Sequence, residues 1–346
     1  MTGVYIVDLP ISKSIANRLL VRSALRGDVF PELPEDNLPE DVSLLYSILT
    51  NPQEDVNVGN CGTAMRFLTA YYAQKEGLTV QLDGNERMRQ RPIGILVEAL
   101  RKMGADIGYL GEEGYPPLRI HGRRLHGTSL EIPHTESTQF ISALLMIKDC
   151  VEGELHIKTE ISSPYIAMTE QILSSSSVFL ERDWSSAAFW YEYVALHADE
   201  AVFLKGLTCS TIQGDAVVSG LFNSFGVNTT ATDEGVMLSG NSRMPVKDSL
   251  TVDFSDCPDL YPAVYVTALR LGVRLHCLGT ERLTYKESDR LMAFDALRAE
   301  TEYYPSFHDH RIAMALLMAD IMTDDLVCIA KSYPDFVKQW SGCRKK

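Results

Sequence analysis

Apolar and polar positions along this chain alternate in blocks that recur in a fixed order. Leu78-Thr79-Val80-Gln81-Leu82-Asp83-Gly84 has the alternation of a half-buried strand closed by a glycine. A basic loop follows, then helical spacing from about Ile93 to Met103, then Gly104 and a new strand at Ala105-Asp106-Ile107. The order returns downstream: strand Ala201–Gly206, a polar loop, a helix from about Asp215 to Phe225, Gly226, and strand Val227-Asn228-Thr229. Glycines 84 and 104 have the same spacing as glycines 206 and 226. The pattern predicts strand, glycine turn, helix, glycine C-cap, strand. Further elements are a strand within Met1–Asp8, a helix from near Ile15, and helical apolar stretches at Phe140–Ile147, Tyr261–Leu271 and Ile312–Met318.

A third copy starts with Val273–Gly279 and predicts a helix around Ser288 to Arg298, but there the order breaks. Ala299–Tyr304 has no capping glycine, and His308-Asp309-His310 follows abruptly. A similar break falls at Leu173-Ser174-Ser175-Ser176-Ser177-Val178. Either both places are variable loops, or the repeat needs more chain there than this sequence contains.

Strand–helix–strand units with short connections make an α/β protein. Copies in both halves of 346 residues point to two similar domains, with the serine run at 174–177 as the natural boundary. Motifs divided between the halves place the ligand in the cleft between them. With 45% hydrophobic and 23% charged residues the composition is globular, which excludes extensive disorder. The start of the chain has no basic segment followed by a long apolar one, so it reads as a strand and not a signal peptide. No run approaches the roughly 18 apolar residues a membrane span needs. Seven cysteines, without a Cys-x-x-Cys pair, argue against a disulfide framework or zinc site and for a reducing cytoplasm.

Charge changes this picture most. Lys and Arg number 32 against 46 Asp and Glu, a net charge of −14, which argues against nucleic-acid or anionic-membrane partners. Yet the basic residues gather in short loop-like motifs: Ser12–Arg18, Gly59–Arg66, Arg87–Pro92, Lys286–Arg290, Asp309-His310-Arg311 and Lys331–Asp335. Cations beside Gly, Ser, Thr and Asn turns suit a local pocket for phosphate or carboxylate.

Each motif also has a plainer reading. Lys13, Ser14, Asn17 and Arg18 open a helix, where a serine can cap and Arg18 can lie on a solvated face. Gly59–Arg66 resembles an anion turn, although it is neither a Walker A loop nor a Gly-x-Gly-x-x-Gly fingerprint. Arg87, Arg89 and Arg91 alternate as a solvated basic loop would, and one of Ser137 and Thr138 is expected to cap the helix at Phe140. Lys286 and Arg290, four apart, would share a helix face, a repulsion that makes sense with an anion between them. Glu287 is a candidate proton carrier, Asp259 is by default an N-cap, and His310 has even claims to capping and to function.

Taken together and in this order, the motifs closely resemble those of 5-enolpyruvylshikimate-3-phosphate synthases, from Leu9 to Phe336. The resemblance implies two domains, each of three βαβαββ units in an inside-out α/β barrel, over residues 13–180 and over 1–12 plus 181–346. It implies transfer of the enolpyruvyl group of phosphoenolpyruvate to the 5-hydroxyl of shikimate 3-phosphate, releasing phosphate, in aromatic amino acid biosynthesis. No metal or organic cofactor is implied, and a monomer in the cytoplasm is expected. By resemblance, Lys13, Ser14, Arg18, Ser137, Thr138, Gln139, Ser162, Asp259, Arg282 and Lys286 hold shikimate 3-phosphate, with Tyr165 packing nearby. Lys13, Gly62, Arg91, Gln139, Arg290, Arg311 and Lys331 form the phosphoenolpyruvate clamp. Asp259 takes the proton of the attacking hydroxyl, Glu287 handles the proton at the methylene carbon, and Lys13 assists catalysis. Gly62 implies sensitivity to glyphosate.

The chain departs from the family pattern at Ile11 (usually Gly), Cys61 (Ala), Phe67 (Pro), Ser163 (often Lys) and Arg282 (a substrate-contacting Asn). Two rivals are an enolpyruvyl transferase acting on UDP-N-acetylglucosamine and a non-catalytic anion-binding protein. The Ser-Lys-Ser and Asn-Cys-Gly-Thr-Ala-Met-Arg motifs speak against the first. Retention of both Asp259 and Glu287 speaks against the second, because carboxylates near bound anions do not help pure binding.

Overall fold

A computed structural model describes residues 4–135, 137–175, 177, 179–241 and 248–344. Met1–Gly3 of the strand expected at the start, and Ser176 and Val178 of the boundary segment, lie outside them. The chain forms two compact units. A host unit comprises Met1–Lys13, Pro34–Glu40 and Phe179–Lys346; an inserted unit, Ser14–Leu33 and Asp41–Val178, interrupts it.

Strand β1 (Val4–Asp8) belongs to the host unit, and the chain then passes into α1 (Lys13–Arg26) and α2 (Glu40–Thr50). The first repeat follows as β2 (Asp55–Asn57), α3 (Gly62–Ala73), β3 (Thr79–Asp83), the short α4 (Glu86–Arg89), α5 (Gly94–Lys102), β4 (Asp106–Tyr109) and β5 (Leu118–His121). These strands make one sheet in the order β2-β3-β5-β4, with β2 parallel to β3 and β5 antiparallel to both its neighbours. Next come β6 (Ser129–Glu131), α6 (Gln139–Met146), β7 (His156–Lys158) and α7 (Pro164–Ser174), in which β6 and β7 form a parallel pair alone.

Back in the host unit, α8 (Trp184–Leu196), β8 (Ala201–Lys205), α9 (Val218–Asn223), β9 (Val227–Thr232) and β10 (Gly235–Gly240) complete the repeat begun by β1. Its sheet runs β1-β8-β10-β9, the same order with the same directions as in the inserted unit. Then follow β11 (Ser249–Asp253), α10 (Tyr261–Arg270) and β12 (Arg274–Leu278), again only a parallel pair, and α11 (Arg290–Ala293), α12 (His310–Met318) and α13 (Phe336–Cys343). Gly104 and Gly226, which follow α5 and α9, have φ of +98° and +81°, the left-handed region that the matched spacing reserves for glycine.

Among the described residues, two repeats are therefore complete and two stop after the parallel pair. Both stop where the sequence order breaks, after α7 and after α11. The predicted helix over 288–298 is corrected here: only Arg290–Ala293 is α-helical. A continued helix would send the Leu297 N–H to the Ala293 carbonyl, but the Tyr304 hydroxyl donates to that carbonyl at 2.6 Å. The Leu297 N–H turns to Phe294 instead, at 3.1 Å. The helix expected from Asp215 is in part a 3₁₀ turn, Gly214–Val217, ahead of α9.

The host core centres on α8, which is buried on every side except at its last residue, as a helix apolar all round must be. Asp183 caps it, accepting from the Ser186 N–H at 2.8 Å. Trp184, Trp190 and Phe189 of α8 share the host core with Ile312–Met318 of α12 and Ala263, Val264 and Val266 of α10. These contacts hold fixed the helix ends that carry the chemistry. No helix among the described residues is long and apolar enough to cross a membrane.

Candidate active site

The chain leaves β1 through Pro10 and Ile11 and crosses the segment that leads into α8. Ile11 pairs with Arg182, the Ser12 N–H donates to the Glu181 carbonyl at 2.7 Å, and the Asp183 N–H donates to the Pro10 carbonyl at 3.0 Å. This crossing brings Lys13 close enough to Asp183 and His310 for its charge to favour the ionised form of one and the neutral form of the other.

Four cations and three carboxylates meet at the N-terminal ends of α10, α11 and α12. Asp259 stands one residue before the Leu260 cap of α10 and does not cap it, so its expected default role is set aside. Its Oδ1 accepts from Lys286 Nζ at 3.2 Å and Arg290 Nη1 at 3.0 Å, and its Oδ2 from Arg311 Nη2 at 3.0 Å. Arg290 also donates to Glu287 Oε2 at 3.2 Å and, through Nε, to Asp309 Oδ2 at 2.9 Å. Lys331 Nζ lies 3.9 Å from Glu287 Oε1. Lys286 does not share a helix face with Arg290, as the spacing had suggested, because it is extended, with φ −83° and ψ −166°. Between them lies the protein's own Asp259 carboxylate, whose Oδ1 accepts from both.

Electrostatics follow from this packing. Burial would push the Asp259 pKa up, but Arg311, Lys286 and Arg290 together hold it well below the usual range. Nearby Asp215, buried and accepting from the Ser185 hydroxyl, is pushed up to about 6 by burial and then by the charge of Asp259. His310 is kept neutral by burial and by the charges of Lys13, Arg311 and Lys331. It caps nothing, since Asp309 is the N-cap of α12 and accepts from the Arg311 N–H at 3.0 Å. Neither of its ring nitrogens has a hydrogen-bond partner among the described residues. Arg282 lies apart from the cluster's ion pairs, with Nη1 3.4 Å from the Ser255 carbonyl.

The inserted unit holds a second set. Gly62 is the first residue of α3, whose N-cap is Cys61; its Sγ accepts from the Ala64 N–H at 3.4 Å. Gln139, first in α6, donates to Thr63 Oγ1 at 3.0 Å and so ties the two helix starts together. Arg91 lies against Gly62 so closely that a Cβ there would be 2.6 Å from Nη2. Of the alternating arginines, Arg89 pairs with Asp83 at 2.5 Å and Arg87 reaches Gln90, whereas Arg91 is buried and its Nε and Nη1 have no hydrogen-bond partner. Ser137 accepts from the Gln139 N–H at 3.3 Å, while Thr138 makes no side-chain cap bond. Ser162 is exposed just before Ser163, which caps α7 by accepting from Tyr165 N–H at 3.3 Å.

Arg18 spends its donors on the protein: Thr169 Oγ1 at 2.7 Å, the Ser14 and Tyr165 carbonyls at 2.9 and 3.2 Å, and Ser142 Oγ at 3.4 Å. Its guanidinium lies 5.3 Å from the ring centre of Phe67, the residue that departs from the family pattern, and burial lowers its pKa to about 10. It braces α1 against α6 and α7. Reading the sequence missed Asp183 and Asp215, and it left Arg66 and Asp309 inside their motifs without a role. Arg66 is buried under Gly62, with Nη2 3.1 Å from the Pro92 carbonyl. Asp183 and Asp309 carried a signal, an acid before an apolar helical run, that looks the same whether the acid only caps or also pairs.

Sheets of parallel pairs and hairpins in two repeating units, with cations gathered at helix starts, make an α/β protein whose clustered charges suit small anions. A family model for EPSP synthase (3-phosphoshikimate 1-carboxyvinyltransferase) matches residues 2–182 and 174–297. A 3-phosphoshikimate 1-carboxyvinyltransferase of Bacteroides fragilis is 34% identical, over 98% of this chain and 94% of its own. That of Cellvibrio japonicus is 31% identical, over 97% and 96%. The solved EPSP synthase of Acinetobacter baumannii shares the fold, with TM-score 0.71 at 20% identity over 99% of this chain and 96% of that one. This chain therefore belongs to the EPSP synthase family. The Bacteroides alignment runs over 394 positions, more than the 346 residues here, so that relative has segments without a counterpart in this chain.

Proposed function

We propose that the chain transfers the enolpyruvyl group of phosphoenolpyruvate to the 5-hydroxyl of shikimate 3-phosphate and releases phosphate, in the cytoplasm. The observation that carries the residue roles is one guanidinium, Arg290, held between the two carboxylates assigned as proton carriers, at 3.0 Å from Asp259 and 3.2 Å from Glu287.

Chemical balance explains why both carboxylates are needed. The hydroxyl loses a proton as its oxygen bonds to the central carbon of phosphoenolpyruvate, and the methylene carbon gains one. Loss of phosphate, with removal of a proton from that carbon, restores the double bond in the product. Asp259 takes the hydroxyl proton; Glu287 delivers and removes the carbon proton. In the described structure Asp259 is too well neutralised to be a strong base. When the anionic groups of the substrates engage Arg290, Arg311 and Lys286, its pKa rises and it becomes able to accept a proton. Lys331 and Lys13 add positive charge, and His310 is available as a neutral hydrogen-bonding group. On this reading Arg91, Gly62, Gln139 and Thr63 receive the phosphate or carboxylate of phosphoenolpyruvate, while Ser14, Ser137, Thr138, Ser162 and Arg282 serve shikimate 3-phosphate. Arg18 acts by positioning those elements. Gly62 leaves Arg91 room, and on this basis glyphosate is an inhibitor.

A coupled phosphate-release assay tests the proposal. Turnover is expected with phosphoenolpyruvate plus shikimate 3-phosphate, and none with UDP-N-acetylglucosamine in its place. Turnover with the UDP-sugar, or binding of both proposed substrates without turnover, would overturn it.

A further inference from the structure

We propose that Asp325 is a positioning residue for phosphoenolpyruvate: its carboxylate ties the entry of α12, which carries Arg311, to the turn that carries Lys331. This role deepens the function proposed above and rests on it.

The entry of α12 is strained. Phe307 and His308, the two residues before the Asp309 cap, have φ of +55° and +56°. Consecutive left-handed residues other than glycine are costly, above all a bulky one, and persist only where their surroundings impose them. Core packing does not impose this pair, since Phe307 is 42% exposed. Polar contacts do. Ser306, fully buried, donates to Asp324 Oδ1 from its N–H at 2.9 Å and from its hydroxyl at 2.8 Å. The same hydroxyl accepts from the His308 N–H at 3.3 Å, and the Ser306 carbonyl accepts from the Asp309 N–H at 3.0 Å. His308 Nδ1 donates to Asp325 Oδ2 at 2.7 Å.

Asp325 has a second commitment. Its Oδ1 accepts from the N–H groups of Val327 at 2.9 Å and Cys328 at 3.1 Å, the first residues of the 3₁₀ turn Val327–Lys331. One carboxylate therefore grips two segments that lead to different cations. The first passes through Asp309 to Arg311, whose Nη2 is 3.0 Å from Asp259. The second ends at Lys331, 3.9 Å from Glu287. Burial would raise the Asp325 pKa, but the bonds from His308 and the two N–H groups hold it below the usual range. The bond from the Ser306 N–H, above all, lowers Asp324 to about 2. Both are thus ionised acceptors at neutral pH. By the family resemblance Arg311 and Lys331 both belong to the phosphoenolpyruvate clamp and neither to the shikimate 3-phosphate set. Slack in the clasp consequently shifts two groups that grip one ligand.

The phosphate-release assay, with each substrate varied in turn, tests this role. Asp325→Ala should raise KM for phosphoenolpyruvate about tenfold, while kcat and KM for shikimate 3-phosphate change by less than about threefold. His308→Gly removes only the link to α12, and glycine takes the positive φ freely, so the same KM should rise by only about threefold. Asp320→Asn breaks the ion pair with Arg344 at the opposite end of α12 and should leave both KM values unaltered. Far-ultraviolet circular dichroism checks folding, and His308→Gly, at an exposed position, carries the test if Asp325→Ala does not fold. Hydrogen exchange read by mass spectrometry needs no substrate: in either variant the amides of 304–309 should exchange about tenfold faster or more. If the native chain turns nothing over, the proposed function fails and exchange alone decides the clasp. Unaltered KM for phosphoenolpyruvate in the folded variants, equal rises in both KM values, an equal rise in Asp320→Asn, or unaltered exchange would each overturn the proposal.

Discussion

Arg290 and Arg91 are both buried guanidinium groups, one in each unit, yet they are in opposite situations. Arg290 is surrounded by Asp259, Glu287 and Asp309, and their charges raise its pKa although burial opposes this. Arg91 has no partner for Nε or Nη1 and a glycine against its tip. A buried cation already matched by carboxylates holds those carboxylates ionised and aligned, and releases them when a substrate anion competes. A buried cation left unmatched by the protein is costly, and an anion that pairs with it offsets that cost. The first arrangement suits proton transfer and the second suits recognition. Glu192 is the mirror image of Arg91: it is fully buried in α8, neither oxygen has a hydrogen-bond partner among the described residues, and burial pushes its pKa well above the usual carboxylate range.

Removing the matched carboxylate should break the comparison most visibly. Asp259→Asn is expected to lower kcat by about 10²–10⁴-fold while phosphoenolpyruvate still binds, since the cluster then resembles the Arg91 site. An unchanged kcat would end its assignment as base. Arg290→Met leaves Asp309 and Glu287 without their shared cation and should destabilise the host unit by about 3–5 kcal/mol, read by denaturant unfolding. Arg91→Ala, by contrast, removes a group whose Nε and Nη1 have no hydrogen-bond partner among the described residues. It should raise KM for phosphoenolpyruvate by roughly 10–100-fold with little loss of stability. Gly62→Ala pushes on the same guanidinium without deleting it, so KM should rise by about tenfold or less and glyphosate inhibition should weaken.

The smallest effect concerns Glu192. Its folded pKa lies above its unfolded one, so its contribution is fully present below about pH 4.5 and is lost as pH rises towards the folded value. Glu192→Gln does not titrate. Relative to it, the native chain should lose stability by up to about 1.4 kcal/mol per pH unit over that rise. Equal stability differences at pH 5 and pH 8 would show that the carboxyl finds a partner.

Much of the fold could be read from residue order, and the places where reading failed share a cause. The paired glycines marked helix ends because a positive φ is a local requirement. Helices at 15, 140, 261 and 312 were legible because their apolar spacing repeats over two turns or more. The helix over 288–298 was overestimated because the Tyr304 hydroxyl, eleven residues from Ala293, donates to the carbonyl that would extend it. A cap as the default role of Asp259, and a shared helix face for Lys286 and Arg290, failed for the same reason: their partners come from α12 and from each other across turns. Arg87, Arg89 and Arg91 look equivalent in sequence. The family resemblance picked out Arg91, and in the fold it is Arg91 that packs against Gly62.

What the sequence alone determined was the set of strand–helix repeats, the two places where they stop short and the inventory of cations, because each depends on neighbours within a few residues. Tertiary structure decided which cations are neutralised and which carboxyl groups burial pushes above their usual range. These depend on the distances between groups far apart in the chain and on how completely folding removes them from water.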